Sequence, residues 1–324
     1  MMRQRGMAMI TVLLVVAVVT VVCAGMIARQ QLAIRSSANQ LHARQALQYA
    51  LGGEALARGM LLRDLRAGDP RTPVDHLGEA WARPLNNFPL DDGGELLVRI
   101  DDATARFNLN SVVRQGKVNE QSLLQFRRLL LRLQIEAPYA ERLVDWLDKD
   151  QEPTGANGAE DNEYLLNQPP YRAANRAMAD VSELRLLAGM TEADYRRLLP
   201  YVAALPDNAT LNVNTAGAIV LSSLADTLTP SVGEALVAAR GKAGFQTLDA
   251  FLGQSALAGM GMEAQGLAVG SEYFRVTSEV HLGGRRQVLV STLQRGNDGR
   301  VRVLSRDMGQ GGLPPALLKE KDEE

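Results

Sequence analysis

The chain has 324 residues, a formal net charge of -2 and 46% hydrophobic residues, which is enough for one substantial core or two modest ones. Its near-neutral charge offers no global field that would attract nucleic acid. Cys23 is the only cysteine, so an intramolecular disulfide is excluded and cysteine usage gives no information on the redox compartment. The location of the protein has to be inferred from its N-terminus.

An uncharged apolar segment, residues 7–28, follows a short basic leader, residues 1–6. A helix of about 22 residues spans roughly 33 Å, which is enough to cross a hydrocarbon core of about 30 Å. The segment is too long for the apolar core of an ordinary secretory signal. Arg3 and Arg5 favour a cytoplasmic N-terminus, although further arginines beyond the span make this asymmetry shallow. We predict one membrane span.

The helical pattern continues past the span, because apolar residues recur near the helical period with no proline before Gly52 and Gly53. We expect one unbroken helix of about 45 residues that ends at these glycines, followed by a second helix at 54–65. The strand signals further along the chain are residues 95–100, a hairpin formed by 272–282 and 285–293, and residues 300–304.

Residues 108–270 have long helical patterns and almost no strand signal. A single strand pairs with nothing, so residues 95–100 need the C-terminal hairpin to form a stable sheet. We therefore predict that the helical segment is an insertion within one strand-and-helix domain. A weak repeat, FNLNS at 107–111 and LNVNT at 211–215, offers Asn and hydroxyl side chains that suit helix caps.

The basic leader ending in Gly6, the apolar start at Met7 and the long helix resemble the signal of type IV pilin-like proteins. The resemblance implies cleavage after Gly6 by a prepilin peptidase and methylation of Met7. The alternatives are a simple single-pass anchor and a degenerate signal that is not processed.

Most pilin-like subunits carry Glu at the position that is Thr11 here. A carboxylate in a membrane span costs up to about 2.5–3.5 kcal/mol, so it should persist only where a partner uses it. In the family that partner is the N-terminal amine of the subunit ahead. The absence of this Glu is typical of the GspK family of type II secretion minor pseudopilins, and it implies that Thr11 marks a subunit at the filament tip.

The GspK family also has a pilin-like sheet that is interrupted by a large helical domain, so the resemblance covers nearly the whole chain. It implies an α+β, pilin-like fold with a long N-terminal transmembrane helix, a small antiparallel sheet and a large all-α inserted domain with helix-hairpin-helix-like units. The predicted segments are leader 1–6, transmembrane part 7–28, first pilin-like part 29–107, inserted domain 108–270, C-terminal strands 271–307 and disordered tail 308–324.

The function implied by the resemblance is that of a minor pseudopilin at the tip of the periplasmic pseudopilus, which starts its assembly for export of folded proteins across the outer membrane. The implied partners are the minor pseudopilins of the I, J and H types, the major pseudopilin, the prepilin peptidase and the inner membrane. The N-terminus would lie in the cytoplasm and the body in the periplasm.

A different class of protein, a membrane-tethered helix-hairpin-helix protein of DNA uptake, is the alternative. Residues 211–266 carry only two basic residues, Arg240 and Lys242, against four acidic ones. Phosphate neutralisation supplies essentially all non-specific affinity for DNA, and an acidic segment cannot provide it. We therefore expect no nucleic-acid partner.

Residues 145–164 read DWLDKDQEPTGANGAEDNEY and contain seven carboxylates. Such a set suits Ca²⁺, which binds 6–8 oxygens in flexible geometry, although the spacing is not that of an EF-hand. A solvated acidic loop is the alternative. GspK proteins bind calcium through a similar loop, so the resemblance implies a structural Ca²⁺ site. The candidate ligands are Asp145, Asp148, Asp150, Glu152, Glu160 and Asp161.

Catalytic motifs are missing from the sequence. The three histidines, His42, His76 and His281, lie in different segments, and no nucleophile elbow, phosphate loop or zinc-protease motif is present. A pair of acids in the acidic loop could in principle serve glycoside hydrolysis, but that chemistry also needs a substrate cleft. We expect that the protein is not an enzyme.

Overall fold

The computed structural model describes residues 7–91, 93–260, 262–296 and 298–309. The predicted leader, including Gly6, and residues 310–324 of the predicted tail lie outside the described residues. In chain order, the helices are α1 (Met7–Ala67), α2 (Glu120–Arg132), α3 (Tyr139–Leu147), α4 (Asp161–Tyr164), α5 (Glu192–Leu198), α6 (Ala218–Ser222), α7 (Pro230–Arg240) and α8 (Leu248–Leu252).

The strands fall into one sheet of five and several pairs of two-residue strands. In chain order they are β1 (Leu85–Pro89), β2 (Glu95–Asp102), β3 (Phe107–Asn108), β4 (Val113–Arg114), β5 (Lys117–Val118), β6 (Val202–Ala203), β7 (Leu211–Asn212), β8 (Leu267–Ala268), β9 (Tyr273–Leu282), β10 (Arg285–Arg295) and β11 (Val301–Asp307). The large sheet is antiparallel, with the spatial order β1-β2-β9-β10-β11.

The pairing of β2 with β9 closes the sheet across the helical segment. Glu95 lies opposite His281, and Asp102 lies opposite Phe274. The β9-β10 hairpin turns at Gly283 and Gly284, whose φ values of 57° and 73° are those that a two-residue turn of this kind requires. The predicted pairing of residues 95–100 with the C-terminal hairpin is therefore confirmed.

Helix α1 has two different halves. Residues 9–41 are exposed throughout, and the helix is long and apolar enough to cross a membrane. Further along, one stripe of α1 packs on the sheet, because small or apolar residues recur three or four positions apart. The buried members of this stripe are Ala46, Ala50, Gly53, Ala57 and Leu61.

The predicted end of the helix at Gly52 and Gly53 is wrong, since α1 continues through both residues to Ala67. Each glycine lowers helix stability by about 1 kcal/mol relative to alanine, but packing of the buried stripe on the sheet offsets this cost. A Cβ at Gly53 would lie 2.7 Å from Ser278 Oγ and 2.9 Å from Val98 Cγ2. Gly53 therefore lets the helix and the sheet approach closely.

The segment between β2 and β9 folds as two units that follow the sequence repeat. The first is closed by the parallel pair β3-β6, and the second by the parallel pair β7-β8. Each unit has its own hydrophobic core, and helices are the longest elements of both. In both copies the side chain of the first Asn of the repeat binds the backbone N–H two residues later. Asn108 Oδ1 accepts from Asn110 N–H, and Asn212 Oδ1 accepts from Asn214 N–H.

A matched pair of glycine substitutions tests how α1 packs on the sheet. We expect Gly53→Ala to lower the free energy of unfolding by about 1–3 kcal/mol, because its Cβ has no room against Ser278 and Val98. Gly52→Ala meets nothing within 4 Å and should instead raise that free energy by up to about 1 kcal/mol through helix propensity. Urea unfolding of the full chain in detergent measures both. Equal effects of the two substitutions would contradict this packing.

Candidate metal centre

The acidic loop lies between the end of α3 and the start of α4. Helix α3 buries Leu143, Val144 and Leu147 in the core of the first unit, and it ends because Asp148 adopts an extended conformation. Glu160 is likewise extended at the N-terminal boundary of α4. The two packed helices therefore hold these two carboxylates on the two sides of the loop.

Three carboxylates meet in this loop. Asp148, Asp150 and Glu160 each place an oxygen within 4.8 Å of the other two. Asp148 is 8% exposed and Glu160 is 3% exposed. Asp148 Oδ1 and both carboxylate oxygens of Glu160 have no hydrogen-bond partner among the described residues. Buried carboxylates without donors are costly, and a bound cation removes that cost.

Asp145, on α3, binds the backbone of the loop. Its two carboxylate oxygens accept the backbone N–H groups of Thr154 at 2.9 Å and of Ala159 at 2.6 Å. A Cβ at Gly158 would lie 2.3 Å from Asp145 Oδ2, so only glycine allows the loop to pass this close. Asp145 therefore shapes the loop with oxygens that are already engaged.

The other two predicted ligands, Glu152 and Asp161, lie apart from the cluster. Glu152 is exposed, and its backbone N–H donates to Asp150 Oδ1 at 3.0 Å. Asp161 accepts the backbone N–H of Ala173 at 3.0 Å and lies 3.6 Å from the Arg172 guanidinium. The structure therefore brings together three of the six predicted ligands.

Asn175 is a candidate ligand that the sequence analysis did not find. Its side-chain Nδ2 donates to the carbonyl of Asp150 at 3.1 Å, and its Oδ1 is buried without a partner among the described residues. Its φ of 47° lies in the left-handed region, which Asn tolerates better than most residues. Asn175 lies well beyond the acidic stretch in sequence, and only the fold brings it there.

Electrostatics at the cluster favour neutralisation. Burial, and then the neighbouring Asp150 and Asp145, raise the pKa of Asp148 to about 6. Burial, and then the neighbouring carboxylates, raise the pKa of Glu160 to about 7. A proton or a cation can supply the missing positive charge. A set of carboxylate and amide oxygens without nitrogen or sulfur suits a hard cation such as Ca²⁺.

A second group of acids, Asp64, Asp75 and Glu79, is clustered as closely but differs in its donors. Arg295 forms ion pairs with Asp64 and Asp75. Glu79 accepts from the backbone N–H of His76 at 3.0 Å. Each of these acids therefore has a cationic or N–H partner, although Asp75 Oδ1 is itself buried without one. In the acidic loop, by contrast, neither carboxylate oxygen of Glu160 has a partner among the described residues.

The two N-terminal marker residues lie in the first turns of α1. Met7 is the first residue of the helix, and Thr11 is exposed one turn later. Elsewhere in the same segment Thr20 donates its hydroxyl to the Val16 carbonyl at 2.8 Å, which shows how a helix satisfies such a group internally.

The long apolar helix, the antiparallel sheet packed on its second half and the helical insertion define a membrane-anchored, pilin-like subunit. A family model described as "Type II secretion system (T2SS), protein K" matches residues 105–207, and a second model with the same description matches residues 211–270. Together these ranges correspond to the two units of the insertion.

Named relatives extend this similarity to nearly the whole chain. The type II secretion system protein K of Pseudomonas aeruginosa is 62% identical over 317 residues, which are 96% of this chain and 95% of that protein. The protein K of Klebsiella pneumoniae is 39% identical over 90% of this chain and 93% of that protein. The GspK-GspI-GspJ complex of enterotoxigenic Escherichia coli contains a chain with a TM-score of 0.75 and 30% identity, covering 85% of this chain and 99% of that chain.

The chain belongs to the protein K family of the type II secretion system, and it is a minor pseudopilin of that system. The resemblance noted in the sequence and the pilin-like α+β fold are confirmed. The domain boundaries, the metal ligands and the binding of Ca²⁺ remain predictions.

Terbium luminescence tests the metal centre. The indole of Trp146 is two residues before Asp148 and contacts Tyr164, with 5.2 Å between ring centroids, so light absorbed there should sensitise a bound Tb³⁺. We expect saturable Tb³⁺ emission that Ca²⁺ displaces. Asp148→Asn and Glu160→Gln should each weaken binding more than about tenfold, or about 1.4 kcal/mol, because each removes a buried anionic ligand.

Two other acidic residues of the stretch 145–164 provide matched controls. Glu152→Gln and Asp161→Asn, which lie outside the cluster, should leave the affinity within about twofold. Because ligands must be deprotonated, the affinity should fall as the pH is lowered from about 8 to about 5.5, through the raised pKa values of Glu160 and Asp148. An affinity that is the same in all four variants would contradict this site.

Proposed function

We propose that this minor pseudopilin is the tip subunit of the periplasmic pseudopilus and starts its assembly for export of folded proteins across the outer membrane. The observation that carries the proposal is the position of the insertion. The insertion leaves the sheet after Asp102 and returns at Ser271. Both residues lie at the end of the sheet that is near Asp64, close to the C-terminal end of α1. The insertion therefore lies at the end of the subunit opposite the apolar half of α1. A subunit stacked above that end would clash with the insertion.

The absence of a carboxylate at Thr11 supports the same position. A Glu in the span is useful only where the amine of a subunit ahead can pair with it, and it otherwise costs insertion free energy. A tip subunit has no subunit ahead. The exposed half of α1 is then first a membrane anchor and later a packing surface for neighbouring helices.

The partners follow from the structural neighbour, which is a complex of GspK with GspI and GspJ. This chain would form the equivalent complex with its own I-type and J-type minor pseudopilins, joined by an H-type subunit and the major pseudopilin. Prepilin peptidase would cut after Gly6 and methylate Met7. Arg3 and Arg5 in the leader support an inner-membrane anchor with a cytoplasmic N-terminus and a periplasmic body.

Ca²⁺ would be a structural ion in the first unit of the insertion. Asp148, Asp150 and Glu160 would hold it, with Asn175 as a further oxygen donor. Its charge would offset the repulsion among these carboxylates and fix the loop over Asp145. We expect neither catalysis nor nucleic-acid binding, because the three histidines lie in separate elements and the second unit is acidic.

Maturation and complex formation provide the test. When the chain is produced with its I-type and J-type partners and a prepilin peptidase, we expect all three pseudopilins to co-purify and mass spectrometry to find a methylated Met7. Gly6→Val should leave residues 1–6 attached, whereas Gly25→Val, in open space on α1, should be processed normally. Retention of residues 1–6 on the unaltered chain, or no association with the partners, would contradict the proposal.

A further inference from the structure

A cleft of about 420 Å³ separates the two units of the insertion. One wall is formed by the start of α2 with Arg106 and Arg114, and the other by Leu224 and the strand at Leu267. Its volume is within the range of about 300–1,000 Å³ that is usual for ligand sites. The maturation signal, the candidate metal centre and the membrane span all lie elsewhere in the chain.

Two arginines of this cleft have no acceptor. Neither the Arg106 nor the Arg114 side chain makes a hydrogen bond or an ion pair with any described residue, and Arg114 Nε is buried without a partner. Burial lowers the pKa of Arg106, and the charges of the nearby Asp101 and Asp102 offset only part of this shift. A desolvated guanidinium without an acceptor is costly, so the cleft favours an anionic group.

Other half-buried arginines of the insertion do have acceptors. Arg128 binds both carboxylate oxygens of Asp226, at 2.6 Å and 3.0 Å, although it also lines the cleft. Arg240 donates to the carbonyls of Val213 and Ala216. Among the described lining residues Glu263 is the only acid. These two arginines therefore have acceptors within the protein, whereas Arg106 and Arg114 have none among the described residues.

Polar and apolar groups accompany the two arginines. Gln121, Ser122 and Gln125 line the cleft at the N-terminal part of α2, where the positive end of the helix dipole also favours a carboxylate. Leu124 lines the same wall with 43% of its surface exposed, and Leu224 lies on the opposite wall. The cleft thus combines cationic groups with an apolar surface.

We infer that this cleft binds an acidic, leucine-containing polypeptide segment of a partner protein, with Arg106 and Arg114 pairing with its carboxylates and Leu124 contacting its aliphatic side chain. A peptide fits better than a nucleic acid, because the second unit that forms one wall has four acidic and two basic residues and would repel a chain of phosphates. This inference does not depend on the tip position or on Ca²⁺.

Fluorescence anisotropy with the full chain in detergent tests the inference. The probe is the peptide DELLDE, labelled with tetramethylrhodamine at its N-terminus and amidated at its C-terminus. Its counterpart is NQLLNQ with the same label and amide, in which every side chain is uncharged. We expect saturable binding of the acidic peptide that weakens with added salt, and at least about tenfold weaker binding of the uncharged one. Equal binding of the two peptides, or no binding of either, would overturn the inference.

Substitutions place the probe in the cleft. Arg114→Gln should weaken binding more than about fivefold, and Leu124→Glu, at an exposed position, should do the same by repelling the acidic peptide. The control is Arg127→Gln, because Arg127 is exposed on the same helix and paired with Glu141 outside the cleft. Urea unfolding confirms that each variant is folded. Unchanged binding in both cleft variants would overturn the inference.

The chain has an acidic, leucine-containing segment of its own, residues 313–324. A variant truncated after residue 312 should bind the probe with the same affinity as the full chain. If truncation strengthens binding more than about tenfold, the segment competes for the cleft and the assignment to a partner protein is overturned.

Discussion

The buried guanidinium of Arg295 is the interaction on which the arrangement of this subunit depends. It lies on β10, is 2% exposed, and pairs with Asp64 of α1 and with Asp75 in the segment that follows α1. It also donates to the Ser271 carbonyl at 3.0 Å, where the chain returns from the insertion. A buried charge left without its partner costs about 3–5 kcal/mol, so the helix end, the sheet and the returning chain are held in one arrangement.

Asp102, at the end of β2, extends this junction to the insertion itself. Its Oδ2 accepts from Ser271 Oγ at 2.6 Å, from Asn212 Nδ2 at 3.3 Å and from the Thr215 hydroxyl. Both ends of the insertion and the first residues of its second unit therefore meet at one buried polar cluster. The bulk of the insertion is held at the membrane-distal end of α1, which is the geometry that the proposed tip position requires.

Local sequence signals predicted the elements that depend on local chemistry. The apolar span, the Gly283-Gly284 hairpin and the β2-β9 pairing follow from helical periodicity, turn chemistry and the need of a lone strand for a partner. The continuation of α1 through Gly53 did not follow from the sequence, because it depends on packing against β2 and β9, and β9 lies more than two hundred residues away. The density of acidic residues in the loop suggested six ligands. Only the folded loop distinguishes the three clustered carboxylates from Asp145, which instead accepts backbone N–H groups.

The proposed tip position requires that the junction hold the insertion where no further subunit can stack above it. Gold labelling of an epitope inserted at the exposed Leu166, on pseudopili sheared from cells, tests this claim most directly. We expect label at one end of each pseudopilus and none along the shaft. Label distributed along the shaft would contradict it, because the insertion would then be compatible with subunits on both sides.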